Sequence, residues 1–248
     1  MERITDTWAS KELKLKNEIK EYNTMMKHKM NIFVLGQKNS QKTRMINLMM
    51  NVLLNEYKDY ELNGEICYID EKSKGYREYN TKNISSMDQP YNISFYDTDE
   101  NDYTNISDSM KYNIQCGYMG KLYKEQKIGD PVPWLVKKAN HADYLDFSVF
   151  IIDNEIPNYK KIQYAVHLAC GGNTEQITIN KQEQISNKRV FSFDPNVTLK
   201  YPEHRCALLQ LILDLTTLSL SHNQQRYDKH NVRNTYEYSS AIDYCNIM

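Results

Sequence analysis

Hydrophobic residues along this chain switch between two spacings, and the switches mark out most of its elements. From Ser10 to Lys29, Leu15, Ile19, Tyr22 and Met26 recur at helical spacing among lysines and glutamates, which predicts an amphipathic helix. Met30 to Leu35 is a short apolar run closed by Gly36, the pattern of a buried strand. Lys42 to Leu54 returns to helical spacing through Met45, Leu48, Met49 and Val52. Two strand-like runs follow, Glu65 to Ile69 and Tyr91 to Tyr96, separated by a polar stretch with Gly75, Ser85, Ser86 and Pro90. They are expected to pair as antiparallel neighbours.

Asp102 to Lys138 is polar and carries Gly117, Gly120, Gly129 and a Pro131-Val132-Pro133-Trp134 turn, so short helices joined by a mobile loop are expected. Phe147 to Ile152 reads as a fully buried strand ending at Asp153, and Tyr159 to Cys170 as a helix stopped by Gly171-Gly172. Gln176 to Ile179 and Val190 to Phe193 read as two further strands. After Pro202, a favoured first helical residue, comes the most apolar helix, Glu203 to Leu220. Strands alternating with helices imply an α/β fold of three layers, a mostly parallel central sheet covered on both faces. The expected organisation is an N-terminal amphipathic helix extension over 1–29, one α/β domain over 30–220, and a weakly ordered polar tail over 221–248.

Composition narrows the partners more than the fold. The 248 residues carry 31 basic and 32 acidic side chains, a formal net charge of -1, so no global field favours nucleic acid or an anionic membrane. No basic stripe or nucleic-acid motif supplies one locally. The mean hydropathy of -0.73 and the 20 tyrosines describe a polar chain that draws much of its apolar area from tyrosine rings. Five cysteines, odd in number and without a C-x-x-C pair, suggest reduced thiols rather than a disulfide framework or a zinc site. None of the six histidines forms a metal-ligand spacing. The first ten residues lack an apolar core, and the run Cys206 to Leu220 is too short to span a bilayer, so the expectation is a cytoplasmic or nuclear protein without a membrane span.

Three pieces carry chemistry. Gly36-Gln37-Lys38-Asn39-Ser40-Gln41-Lys42-Thr43 matches the phosphate loop G-x-x-x-x-G-K-[ST] except at the second glycine, here Gln41. A strand before and a helix after are what the anion cradle requires, because backbone N–H groups and a helix N-terminus form it. Gly36, Ser40, Gln41, Lys42 and Thr43 are the candidate phosphate residues. Lys42 would reach the β- and γ-phosphates and the Thr43 hydroxyl would ligate magnesium. A side chain at position 41 weakens or reshapes such a loop, since glycine there lets backbone approach phosphate. A polar turn with a chance lysine and threonine is the plainer alternative.

The second piece, Phe95-Tyr96-Asp97-Thr98-Asp99-Glu100, ends a strand as a D-x-x-G element does, and makes Asp97 a candidate magnesium residue. Glu100 stands where that element has glycine, and with Asp99 and Asp102 it would repel a phosphate terminus. The third piece, Asn180-Lys181-Gln182-Glu183, reads as N-K-x-E where a guanine-specifying loop has N-K-x-D, so Asn180, Lys181 and Glu183 are candidate guanine residues. A charged loop after a short strand explains that tetrapeptide equally well.

The three pieces occur in the order found in P-loop GTPases, and with their flanks they resemble the interferon-induced protein 44 family of GTPase-like proteins over roughly Asn31 to Leu218. Ser73-Lys74-Gly75-Tyr76-Arg77-Glu78-Tyr79 is similar to that family's T-x-x-Y-R-x-Y stretch, and the resemblance places Ser73 where a hydroxyl completes magnesium coordination. Cys116 to Tyr123 and Ala142 to Asp153 are similar to its glycine-led segment and next buried strand. The departures, Gln41 and Glu100, replace both glycines that approach phosphate. The resemblance implies a P-loop GTPase-like fold and a role in innate antiviral responses. The expected function is a degenerate GTPase-like module acting through a protein partner in a host-defence or viral setting. GTP or GDP with magnesium would be bound weakly or not at all. The N-terminal helix, the Asp102 to Lys138 loop and the tail are the candidate contact surfaces, although packing of the N-terminal stripe on its own domain is the favoured reading of that helix. The alternative is an active magnesium-dependent GTPase, for which no catalytic glutamine follows Asp97.

Overall fold

Every residue of the run Met-Asn-Ile-Phe-Val-Leu-Gly at 30–36 is buried, and the computed structural model explains why: this strand lies inside a sheet that has helices on both faces. The structure describes residues 2–26, 29–38, 40–54, 67–68, 75–81, 91–131, 145–153, 155–170, 174–179, 190–193 and 198–220. In chain order the elements are α1 (Glu2–Met25), β1 (Met30–Gly36), α2 (Lys42–Leu54), β2 (Arg77–Asn80), β3 (Ile93–Asp97), α3 (Asp108–Tyr118), β4 (Phe147–Asp153), α4 (Tyr159–Ala169), β5 (Thr174–Ile179) and β6 (Val190–Phe193). A last helix, α5, covers 202–220.

The sheet has six strands in the order β2-β3-β1-β4-β5-β6. All neighbours are parallel except β2, which runs antiparallel to β3 at one edge. The α/β class and the mostly parallel sheet therefore stand as expected. Period-two alternation divides β1 between two cores: Ile32 and Val34 face one, Phe33 and Leu35 the other. The first core packs the strands against α1, α2 and α5, through Ile19, Met49 and Leu209 among others. The second packs them against α3 and α4, through Ile114 and Val166. Each fully buried aliphatic side chain contributes about 1.5–3 kcal/mol.

Two boundaries differ from the sequence expectation. The antiparallel partner of β3 is Arg77–Asn80, not Glu65 to Ile69. Within the latter run only 67 and 68 are described and they are irregular, the Tyr68 N–H donating to Asn47 Oδ1 at 2.9 Å. The sequence Arg-Glu-Tyr-Asn has no apolar alternation because an edge strand needs little, and polar edges discourage unwanted pairing. The first helix begins at Glu2, well before Ser10, with Trp8 packed against the first core, and it stops at Met25. Asn23 Oδ1 accepts from the Asn92 N–H at 2.7 Å and ties that end to the entry of β3.

α1 is not a loose extension. Leu15 and Ile19 are buried, and Glu12 and Arg205 form an ion pair at 2.9 Å with both side chains nearly inaccessible, 3% and 1% exposed. Arg205 Nη1 also donates to the Leu199 carbonyl at 2.7 Å. The apolar stripe of α1 through Leu15 and Ile19 thus packs on its own domain, the reading favoured for it from the sequence. Removing one member of a buried pair strands the other charge, so Glu12→Ala is expected to lower the unfolding free energy by about 3 kcal/mol, measured by urea denaturation.

Candidate functional site

The loop that follows β1 is shaped by crowding at its first residue. A Cβ at Gly36 would run into Ser40 Oγ and come within 3.0 Å of the Lys42 side chain, so glycine is required there. Backbone bonds then carry the loop past the end of the sheet: Gln37 N–H donates to the Ile151 carbonyl and Lys38 N–H to the Asn101 carbonyl, both at 3.0 Å. Gln41 adopts φ +55, the left-handed conformation that glycine enters freely and that costs other residues about 1 kcal/mol. Its exposed side chain accepts from Arg44 Nη1 at 3.2 Å, so Gln41 does not fill the cradle.

The cradle is occupied by Lys42. This side chain opens α2 and is fully buried, and its Nζ donates to Asp97 Oδ1 and to the Thr98 carbonyl. Asp97 is equally buried, at the carboxyl end of β3, where the register sets it opposite Val34. The same Oδ1 accepts from the Thr98 N–H at 2.8 Å, and Thr98 Oγ1 donates to the Val34 carbonyl at 3.2 Å. Among the described residues, Asp97 Oδ2 and Ser40 Oγ are buried polar atoms without a hydrogen-bond partner. Thr43 is half-buried.

The acidic stretch after Asp97 is spread out rather than gathered at one point. Asp99 Oδ1 accepts from the Ile128 N–H at 2.9 Å, and burial raises its carboxyl pKa despite that bond. Glu100 is exposed. Asp102 is held below the usual carboxylate range by the Thr104 N–H and by Gln37 Nε2, each at 3.0 Å. Asp99 and Asp102 are thus each committed to hydrogen bonds within the fold.

Gln37, which sequence reasoning passed over as a variable loop position, ties these parts together. Its amide donates to Asp102 and accepts from the Tyr103 N–H at 2.9 Å, while its backbone bridges to Asn101 in parallel fashion. Tyr103 beneath it is fully buried, and burial pushes its hydroxyl pKa upward. An amide that donates and accepts at once suits a site facing one carboxylate and one N–H, but nothing in the sequence announces that pairing.

Ser73, Asn180, Lys181 and Glu183 lie outside the described residues, so the structure brings together Gly36, Ser40, Gln41, Lys42, Thr43 and Asp97 alone. As arranged, the Lys42 ammonium that would receive a nucleotide phosphate is already in contact with the Asp97 carboxylate. Among the described residues no group of three His, Cys, Asp or Glu is placed to hold a metal ion, and no helix is long and apolar enough to cross a membrane. A separate groove of about 730 Å³ opens between the 104–107 turn, α3 and α4, with Lys111, Gln115, Lys161, Ala165 and Leu168 on its walls.

Gln37→Ala should lower the unfolding free energy by about 1–3 kcal/mol in urea titrations, since it leaves the buried Tyr103 N–H unsatisfied. Asp99→Asn keeps the oxygen facing Ile128 and discards a charge that burial disfavours. The raised pKa means that the penalty on Asp99 is present above its folded value and fades as pH falls through it. The variant should therefore melt higher than the parent at pH 7 and lose that advantage on acidification, as read by calorimetry. No family model matches this chain and no curated protein is significantly similar to it, so the reading of the site rests on its geometry.

Proposed function

We propose that this chain is a degenerate P-loop GTPase-like module that acts mainly by binding a protein partner, with guanine nucleotide bound weakly or not at all. Position supports the phosphate-loop origin. In open α/β sheets, ligands sit outside the carboxyl ends of the strands at the point where the strand order reverses. Here β1 lies between β3 and β4, and the Gly36 loop leaves its carboxyl end at that point. Asp97 reaches the same place from the end of β3. The order β2-β3-β1-β4-β5-β6, with only β2 antiparallel, is compatible with the mostly parallel central sheet of that reading.

The single observation that carries the loss of binding is the state of Lys42: fully buried, with its ammonium bound to Asp97 and to the Thr98 carbonyl. A phosphate must compete with a carboxylate already in contact, and Gln41 adds a side chain where backbone alone suits phosphate. Magnesium-dependent hydrolysis requires the same lysine on the β- and γ-phosphates, so it is the weaker reading. A binding role draws support from α4, where Tyr164 and Leu168 are 63% and 58% exposed beside the groove. The host-defence or viral setting implied by the resemblance to the interferon-induced protein 44 family belongs to this proposal, as the context in which a partner is sought.

Calorimetry with GDP and a non-hydrolysable GTP analogue, magnesium present, tests the reading. The expected result is no saturable binding tighter than about 100 μM. Micromolar binding that Lys42→Ala abolishes, together with turnover of GTP, would replace it with the active-GTPase reading.

A further inference from the structure

We propose that Asp97 is an internal competitor for anions: its carboxylate holds the Lys42 ammonium where a phosphate group would sit, and removing its charge turns the loop into a magnesium-independent pyrophosphate-binding site. The proposal rests on the phosphate-loop reading above and gives it a sign. A carboxylate that supports a metal ion promotes nucleotide binding, so its loss weakens binding. A carboxylate that competes for the lysine suppresses binding, so its loss strengthens it.

Four observations point to competition. Lys42 has no exposed surface, so its ammonium cannot be satisfied by bulk water and must hold acceptors inside the fold. It has two, Asp97 Oδ1 and the Thr98 carbonyl, and among them only the carboxylate balances its charge. Asp97 Oδ2 is buried without a donor, which leaves an electron-rich oxygen in the cradle that repels an incoming phosphate oxygen. Ser40 Oγ is buried without a partner on the Gly36 side of the same lysine, a hydroxyl donor with no acceptor. The cradle therefore holds one carboxylate too many for a phosphate and one hydroxyl donor to spare. An oxyanion seated beside Lys42 would use that donor.

With asparagine at position 97 the amide oxygen can still accept from Lys42 and from the Thr98 N–H, but the ammonium loses its counter-charge. A buried charge in that condition recruits an anion or destabilises the fold. Pyrophosphate and GDP are the probes, and both are used without magnesium so that metal coordination plays no part. The parent protein, Asp97→Asn, Lys42→Ala and the double variant are compared by calorimetry, and by thermal melting with and without pyrophosphate.

The parent is expected to show no saturable binding at millimolar pyrophosphate. Asp97→Asn should bind it at least about tenfold more tightly, melt lower than the parent without it, and gain Tm when it is added. Lys42→Ala in the Asp97→Asn background should abolish the gain. A folded Asp97→Asn protein with no gain overturns the proposal, and so does a parent that binds pyrophosphate and is weakened by the substitution. Gln41→Gly separates the two levels. If it binds pyrophosphate with Asp97 intact while Asp97→Asn does not, the phosphate-loop reading stands and the competitor falls. If Asp97→Asn, Gln41→Gly and their combination are all folded and none binds, both fall. Asp97→Ala is the second variant should Asp97→Asn not fold. If neither folds, the pair is a fixed part of the architecture and the competitor reading is overturned.

Discussion

An ammonium group carried beyond the reach of water is tolerable only beside a carboxylate that shares its enclosure, and in this protein the pair Lys42 and Asp97 sits where the sheet's strand order turns. Neither residue could take its place alone. β1 brings the chain to the carboxyl edge, Gly36 lets the backbone fold back on itself, and α2 starts with the lysine already aimed at β3. The segments that leave β1 and β3 are held together by that charge pair and by the Gln37 amide.

The broad architecture was legible because it depends on period. Ile32 and Val34 alternating with Phe33 and Leu35 declare a strand buried on two sides, and Met45, Leu48, Met49 and Val52 declare the helix that covers one of them. Edges were less legible. Arg77–Asn80 joins the sheet through backbone hydrogen bonds that its polar side chains do not betray, whereas the more apolar run before it does not supply the β3 partner. At the site, the types and order of Gly36, Lys42, Thr43 and Asp97 were readable, but their pairing was not. The same lysine can face a phosphate or a carboxylate, and residue spacing is identical in both cases. Gln37 was invisible for a related reason: its partners, Asp102 and Tyr103, are more than sixty residues away in sequence, and only the parallel pairing of β1 with β3 brings them near.

The two faces of the sheet are covered by different helices. α1, α2 and α5 close over one core, with Leu15 and Ile19 inside, Glu12 tied to Arg205, and Leu13 and Met25 left on the outer side of α1. The opposite face, under α3 and α4, keeps its core covered yet leaves Tyr164 and Leu168 in water. Apolar side chains on the solvent side of a helix are not required by that helix's own packing, which runs through Ile162 and Val166. A change at Tyr164 or Leu168 therefore leaves the packing of that core in place.

The contact between Glu12 and Arg205 spans 193 positions, which has a consequence for the order in which the protein can be completed during synthesis. α1 leaves the ribosome well before α5, which carries the Arg205 guanidinium bound to Glu12 and the side chains that cover this face. Until then Leu15, Ile19 and the matching face of β1 have no lid, and β1 itself waits for β4 before both its edges are paired. Completing this core therefore needs non-local contacts, and the partly made chain exposes that surface until α5 is made. A long-range charge pair that is unremarkable in the finished fold thus makes this protein a demanding client for whatever shields nascent chains.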